Sequence, residues 1–267
     1  MRVNLRKTLF ILPNLFTLSS IFCGFYATVL CVGEVDAETF YRASLLIVFA
    51  MFFDTIDGRV ARLTKTQSAF GVQIDSLADV VSFGVAPAVL VYQWSLSALG
   101  TAGALVAFAY VACGAIRLAR FNVLAMGASG APKKPGKYIV GLPIPGAAGI
   151  LVSLVVANHT VAGALPGSPY VVLAVVCALA FFMVSTFKFR SFKDMRLNRR
   201  TLALVAVALG SSAFIALRFH ISFALVWLLT AYVAIAVCET LFHLSRRGLR
   251  RDVEVVTEED EAAKIDA

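Results

Sequence analysis

Apolar runs of about 18 to 24 residues, each long enough to cross a hydrocarbon core of roughly 30 Å as a helix, recur along nearly the whole of this sequence. A backbone surrounded by lipid must satisfy its own hydrogen bonds, and only helices and closed barrels do so. The runs are continuously apolar and do not alternate with period two, which argues against a barrel. The expected fold is all-α, a polytopic transmembrane helical bundle of about eight spans, at residues 16–32, 41–58, 72–94, 101–119, 142–161, 170–187, 201–217 and 222–242. With 60% of its 267 residues hydrophobic and 15% charged, the chain has little room for a soluble domain.

The net charge of +8 would suit a nucleic-acid binder, but the placement of the charges points to topology and not to nucleic acid. Basic residues cluster at Arg2, Arg6 and Lys7, at Arg59, Arg62 and Lys65, at Arg117, Arg120, Lys133, Lys134 and Lys137, across 188–200, and across 246–251. Counting spans puts every cluster on one side, while Glu34, Asp36 and Glu38 and the nearly uncharged stretches near Leu96 and His159 fall on the other. Under the positive-inside rule both termini are cytoplasmic, in a cell inner membrane. The first apolar run follows a basic stretch without a small-residue cleavage site, so no cleavable signal is expected. Cys23, Cys31, Cys113, Cys177 and Cys238 stand singly in apolar segments and read as packing residues. The chain then divides into an N-terminal interfacial segment at 1–15, a six-span core at 16–187, a basic cytoplasmic loop at 188–200, two further spans within 201–243, and a charged tail at 244–267 expected to be disordered.

Four carboxylates interrupt the apolar pattern: Asp54 and Asp57 near the end of the second span, Asp75 and Asp79 near the start of the third. Ionisable groups at membrane depth cost several kcal/mol unless they are paired or face water, so they mark a functional site by default. Spacings of three and four residues put each pair on one helix face, and a short basic turn joins the two helices. Four converging carboxylates repel one another unless cations lie between them. Hard oxygen donors with no His or Cys nearby favour Mg²⁺ or Mn²⁺ over zinc. Gly58, Ala61 and Gly71 are small enough for a diphosphate to approach the backbone. Arg62 can reach a phosphate oxygen or serve as a snorkelling anchor.

The segment Asp54-Thr-Ile-Asp57-Gly58-Arg-Val-Ala61-Arg62, eight residues, Gly71-Val-Gln-Ile-Asp75-Ser-Leu-Ala-Asp79 resembles the signature of the CDP-alcohol phosphotransferase family at every defining position. The resemblance implies an enzyme that binds a CDP-linked alcohol through two metal ions while a second alcohol displaces CMP. It implies Asp54, Asp57, Asp75 and Asp79 as metal ligands and Asp79 also as general base. Gly58 and Ala61 would line the CDP site, with Arg62 beside them, and Gly71 would allow the close turn. The segment Leu12-Pro13-Asn14-Leu-Phe-Thr17 resembles the interfacial segment that relatives carry beside the nucleotide, so Asn14 and Thr17 either bond cytosine or cap a helix.

Two further stretches, Asp79-Val-Val-Ser-Phe-Gly-Val-Ala-Pro87 and Arg117-Leu-Ala-Arg120-Phe-Asn122 with the later Tyr138-Ile-Val-Gly141-Leu-Pro143-Ile-Pro145, are similar to the bacterial membrane-embedded phosphatidylserine synthase subgroup of that family. That resemblance implies CDP-diacylglycerol and L-serine as substrates, membrane lipids as surroundings, and a homodimer by analogy. Serine brings a carboxylate and an ammonium, for which Arg117, Arg120 and Asn122 are candidate partners, with Gly141 and Pro143 shaping the pocket. Each of these has an alternative in topology or helix packing. Glycerol 3-phosphate, inositol phosphate or choline are the competing acceptors. The first two would call for a denser basic cluster, and choline for carboxylates or aromatic faces. A divalent-cation transporter is the remote alternative, disfavoured by the absence of a visible repeat and of aspartates within the spans of the second half.

Overall fold

The computed structural model describes residues 5–64, 66, 68–125, 138–161, 168–186 and 188–190, together with Gly210, Ser211, Ser212, Phe214, Leu217 and Trp227. Apart from those single positions, the expected spans at 201–217 and 222–242 lie outside the described residues, as do the tail at 244–267 and residues 126–137. Small residues at alternating three- and four-residue steps dictate how the first two helices meet. On α1 (Leu5–Leu30) and just beyond it the stripe is Thr17, Ser20, Gly24, Ala27 and Cys31; on α2 (Ala37–Leu63) it is Ala43, Ile47 and Ala50, and all but Gly24 are 8% exposed or less. Short side chains let two backbones approach closely, which is how helices associate where lipid removes the hydrophobic drive between them. Continued by the same steps, the α2 stripe reaches Asp54 and Asp57, so the packing face becomes the acidic face.

Asp36 caps α2, its carboxylate accepting from the Thr39 backbone N–H and hydroxyl. Ser68 caps α3 (Ala69–Asp79), its Oγ accepting from Gly71 N at 2.9 Å. The third span, expected as one helix, runs continuously from Ala69 to Trp94 but changes winding in its middle: a π-helical turn, Val80–Val85, follows α3 directly and passes into α4 (Ala86–Trp94). That turn is pinned from two sides. Tyr110, fully buried on α5 (Thr101–Ala125), donates its hydroxyl to Phe83 O at 3.1 Å. From α1, Ser20 and Ser82 exchange hydrogen bonds, Ser82 Oγ donating to Ser20 O at 2.9 Å. Gly24 is required there, since a Cβ on it would lie 2.6 Å from Ser82 Cα.

After residue 137 come β1 (Tyr138–Val140), α6 (Ile144–Thr160), α7 (Pro169–Val184) and β2 (Lys188–Arg190). The two strands form an antiparallel ribbon with Ile139 opposite Phe189, an element that hydropathy does not reveal. At the other end α1 begins at Leu5, so the segment expected to lie ahead of the first span is continuous with it.

Three described helices, Ala37–Leu63, Ala69–Trp94 and Thr101–Leu124, are long and apolar enough to cross a bilayer, and Asn14–Leu30, Ile144–Thr160 and Pro169–Val184 are shorter apolar ones. Phe83, Tyr110, Leu142, Leu151 and Met183 fill the interior, whereas Phe22, Phe25, Phe49, Phe52, Phe70 and Phe108 point outward. Such an exterior is a liability in water and the natural surface of a helical bundle in lipid.

Candidate active site

Asp54 and Asp57 lie on α2 before the turn at residues 64–68, and Asp75 lies on α3 just after it. The fold brings one carboxylate oxygen from each to within 4.8 Å of the others. Asp79, one turn beyond Asp75, lies close to the Asp54 side chain, and ionised carboxylates that near one another repel unless a proton or a cation lies between them. Its Oδ1 is enclosed and has no hydrogen-bond partner among the described residues. Converging hard oxygens and a buried acceptor left unsatisfied fit a divalent cation such as Mg²⁺ or Mn²⁺.

Asp57, 5% exposed, is held by Thr17 from α1, whose hydroxyl donates to Oδ2 at 2.7 Å. Thr17 therefore bonds to the acidic cluster. Asn14 stands three residues before it on α1, half-buried. Arg62 occupies the last turn of α2, exposed and within electrostatic reach of Asp57. Gly58 presents open backbone: a side chain there would meet only the Arg62 guanidinium, 3.6 Å away. Ala61 is partly exposed on the same turn, and Gly71 sits in the first turn of α3.

The residues read as an acceptor pocket separate into two groups. Arg117 is buried, packs its guanidinium over Phe121 at 5.8 Å, and lies within electrostatic reach of Asp79. Asn122 donates from Nδ2 to Ser76 Oγ at 2.9 Å, tying α5 to the α3 turn between Asp75 and Asp79. Arg120 turns to the other side, where its guanidinium forks the last carbonyls of α7, Nη1 to Val184 O at 2.8 Å and Nη2 to Ser185 O at 3.2 Å. Gly141, at φ +80°, lies against the Met183 carbonyl and Arg120, and the next residue, Leu142, donates its N–H to Phe182 O at 3.0 Å. Pro143 is the N-cap residue of α6. Sequence reasoning passed over Ser76, Ser82 and Tyr110. Only the small-residue stripe on α1 carried a signal, since it places Thr17 and Ser20 on the face that meets α2 and the π turn.

An acidic cluster shared by two adjoining apolar helices of a lipid-facing bundle defines a class of integral-membrane, metal-site proteins. The CDP-alcohol phosphatidyltransferase family model matches residues 10–184, and the chain belongs to that family. Among similar proteins is a CDP-diacylglycerol–serine O-phosphatidyltransferase of Helicobacter pylori, 37% identical over 202 residues that cover 76% of this chain and 81% of that one. One of the same name from Bacillus subtilis is 34% identical over 68% of this chain and 91% of its own. An archaetidylserine synthase of Methanothermobacter thermautotrophicus is 40% identical over 51% of this chain and 54% of its own.

Proposed function

We propose that the chain is a membrane enzyme that transfers the phosphatidyl group of CDP-diacylglycerol to the hydroxyl of L-serine, giving phosphatidylserine and CMP. The observation that carries the reading is the meeting of Asp54, Asp57 and Asp75 oxygens within 4.8 Å, on two apolar helices joined by a short turn. Family membership supports the CDP half of the reaction, and similarity to serine-using relatives supports the acceptor half.

Asp54, Asp57, Asp75 and Asp79 would hold the metal, two ions in the full site. A bound divalent cation supplies neutralisation of the diphosphate and of charge building on the departing phosphate. The protein's own groups do the rest. Asp79 takes the serine proton as the new oxygen–phosphorus bond forms and the bond to CMP breaks. Thr17 keeps Asp57 aimed inward. Gly58, Ala61 and Gly71 leave room for the diphosphate, with Arg62 and Asn14 at its margin. Arg117 beside Asp79 pairs with the serine carboxylate, and Asn122 holds α5 against the α3 turn.

The topology belongs to the same proposal: eight spans, both termini and the aspartates on the cytoplasmic side of the cell's inner membrane, where CDP-lipid and serine are both available. The test offers the purified chain CDP-diacylglycerol with radiolabelled serine, glycerol 3-phosphate or inositol phosphate, with Mg²⁺ or Mn²⁺ and after chelation. Label is expected in lipid from serine only, and lost on chelation. Incorporation from another acceptor, or undiminished turnover in chelator, overturns the reading.

A further inference from the structure

The end of α5 is held from two directions by contacts of different kinds. Toward the aspartates, Asn122 reaches Ser76 on α3. Away from them, Arg120 forks Val184 O and Ser185 O at the end of α7. The second hold has a built partner. Gly141 adopts a left-handed φ of +80° that side-chain-bearing residues rarely take, and a Cβ on it would run into the Met183 carbonyl and come within 2.9 Å of Arg120 Nη2. Leu142 N–H then closes on Phe182 O, and the β1–β2 ribbon joins the chain just before Gly141 to the chain just after α7. A cation at a helix C-terminus also complements the dipole and satisfies carbonyls the helix leaves open.

We infer that Arg120 and Gly141 form a clamp that fixes the rotation of α5 and so sets Arg117, one turn earlier on the same helix, for the acceptor. The inference rests on the acceptor side of the proposed function. It makes Arg120 a positioning residue, not a serine ligand: both ends of its guanidinium are bonded to backbone. Arg117 is read as pairing with the serine carboxylate in ground state and transition state alike, so a loosened clamp weakens serine binding there and leaves the reacting groups in place. The diphosphate side, carried by α2 and α3, is held independently through Thr17 and the Ser68 cap.

The experiment compares Arg120→Lys, Gly141→Ala and the double variant of the full chain in detergent micelles with CDP-diacylglycerol. Lysine keeps the charge and loses the planar fork. Each single variant is expected to raise KM for serine roughly tenfold, with kcat at saturating serine and KM for CDP-diacylglycerol within about twofold of the wild type. Because the two residues serve one contact, the double variant goes no further than the worse single one. A fall in kcat with both KM values unchanged would reduce the clamp to simple stability and overturn the inference. So would additive effects, or a serine defect in Arg120→Lys with Gly141→Ala behaving as wild type, which would return Arg120 to direct contact with the acceptor. Should the wild type use glycerol 3-phosphate or inositol phosphate instead, the serine reading falls, and the same KM split on that acceptor still decides the clamp.

Discussion

Thr17 ties α1 to the acidic cluster through a single hydroxyl. Its bond to Asp57 Oδ2, 2.7 Å long and buried, joins a polar group to a charged one, and such bonds contribute about 1.5–3 kcal/mol. Residues that orient metal ligands typically change metal affinity about 10- to 100-fold when removed. Thr17→Val is therefore expected to weaken Mn²⁺ binding by roughly that factor in an EPR titration of the protein without substrate, and Thr17→Ser to restore it. Equal affinity in all three would sink the positioning role. The carboxylates themselves were legible because charge in an apolar span is costly and because Asp54, Asp57, Asp75 and Asp79 keep helical spacing. The bond of Thr17 was not, since a separation of 40 positions from Asp57 leaves no local pattern to connect them. Arg120 was ambiguous for a related reason: a guanidinium suits a substrate carboxylate and a helix C-terminus equally well, and its contact with the end of α7 leaves no trace in local sequence.

Among the elements, the π turn at Val80–Val85 has the most direct bearing on the site, because it begins at the residue after Asp79. Four residues beyond Phe83 stands Pro87, which has no N–H to give the Phe83 carbonyl, and Tyr110 supplies a donor in its place. Tyr110→Phe leaves that buried carbonyl unsatisfied and is expected to destabilise the fold by about 1–3 kcal/mol, read as a lower melting temperature in detergent. An unchanged melting temperature would mean that the carbonyl finds another donor. At the start of α2 the Asp36 carboxyl is held below the ordinary carboxylate range, first by the Thr39 hydroxyl and then by its backbone N–H. A lowered folded-state value means the cap stabilises above the unfolded value of 3.8 and loses that effect as pH falls through the folded one. Asp36→Ala should thus melt earlier than the wild type near pH 7, with the gap closing as the pH falls below 3.8. The helices Ala37–Leu63, Ala69–Trp94 and Thr101–Leu124 could be read from hydropathy because each carries an apolar stretch long enough to cross a bilayer. The π turn and the β1–β2 ribbon could not, since neither changes the apolar count over a window of residues.

For the whole molecule, the two ends of the bundle differ in kind. One end holds the aspartates with Arg59 and Arg62 beside the turn, and the clamp of α5 on α7. At the other, α2 and α6 meet through Glu38, which pairs with Arg42 at 3.0 Å and faces His159 Nε2 at 3.4 Å, while His159 stacks on Tyr41 at 4.5 Å between ring centres. Basic residues concentrated at the aspartate end predict that it faces the cytoplasm. The structure makes this testable at two exposed positions: Leu63 closes α2 at the aspartate end, and Ser97 lies in the short 3₁₀ turn that ends the next span on the opposite side. In a chain whose own cysteines have been replaced, Leu63→Cys and Ser97→Cys are each offered a membrane-impermeant maleimide. Spheroplasts should label position 97 and leave position 63 untouched, whereas inverted vesicles should do the reverse. The opposite pattern would put the acidic site on the outer face, away from any cytoplasmic supply of CDP-lipid, and the proposed orientation would have to be abandoned.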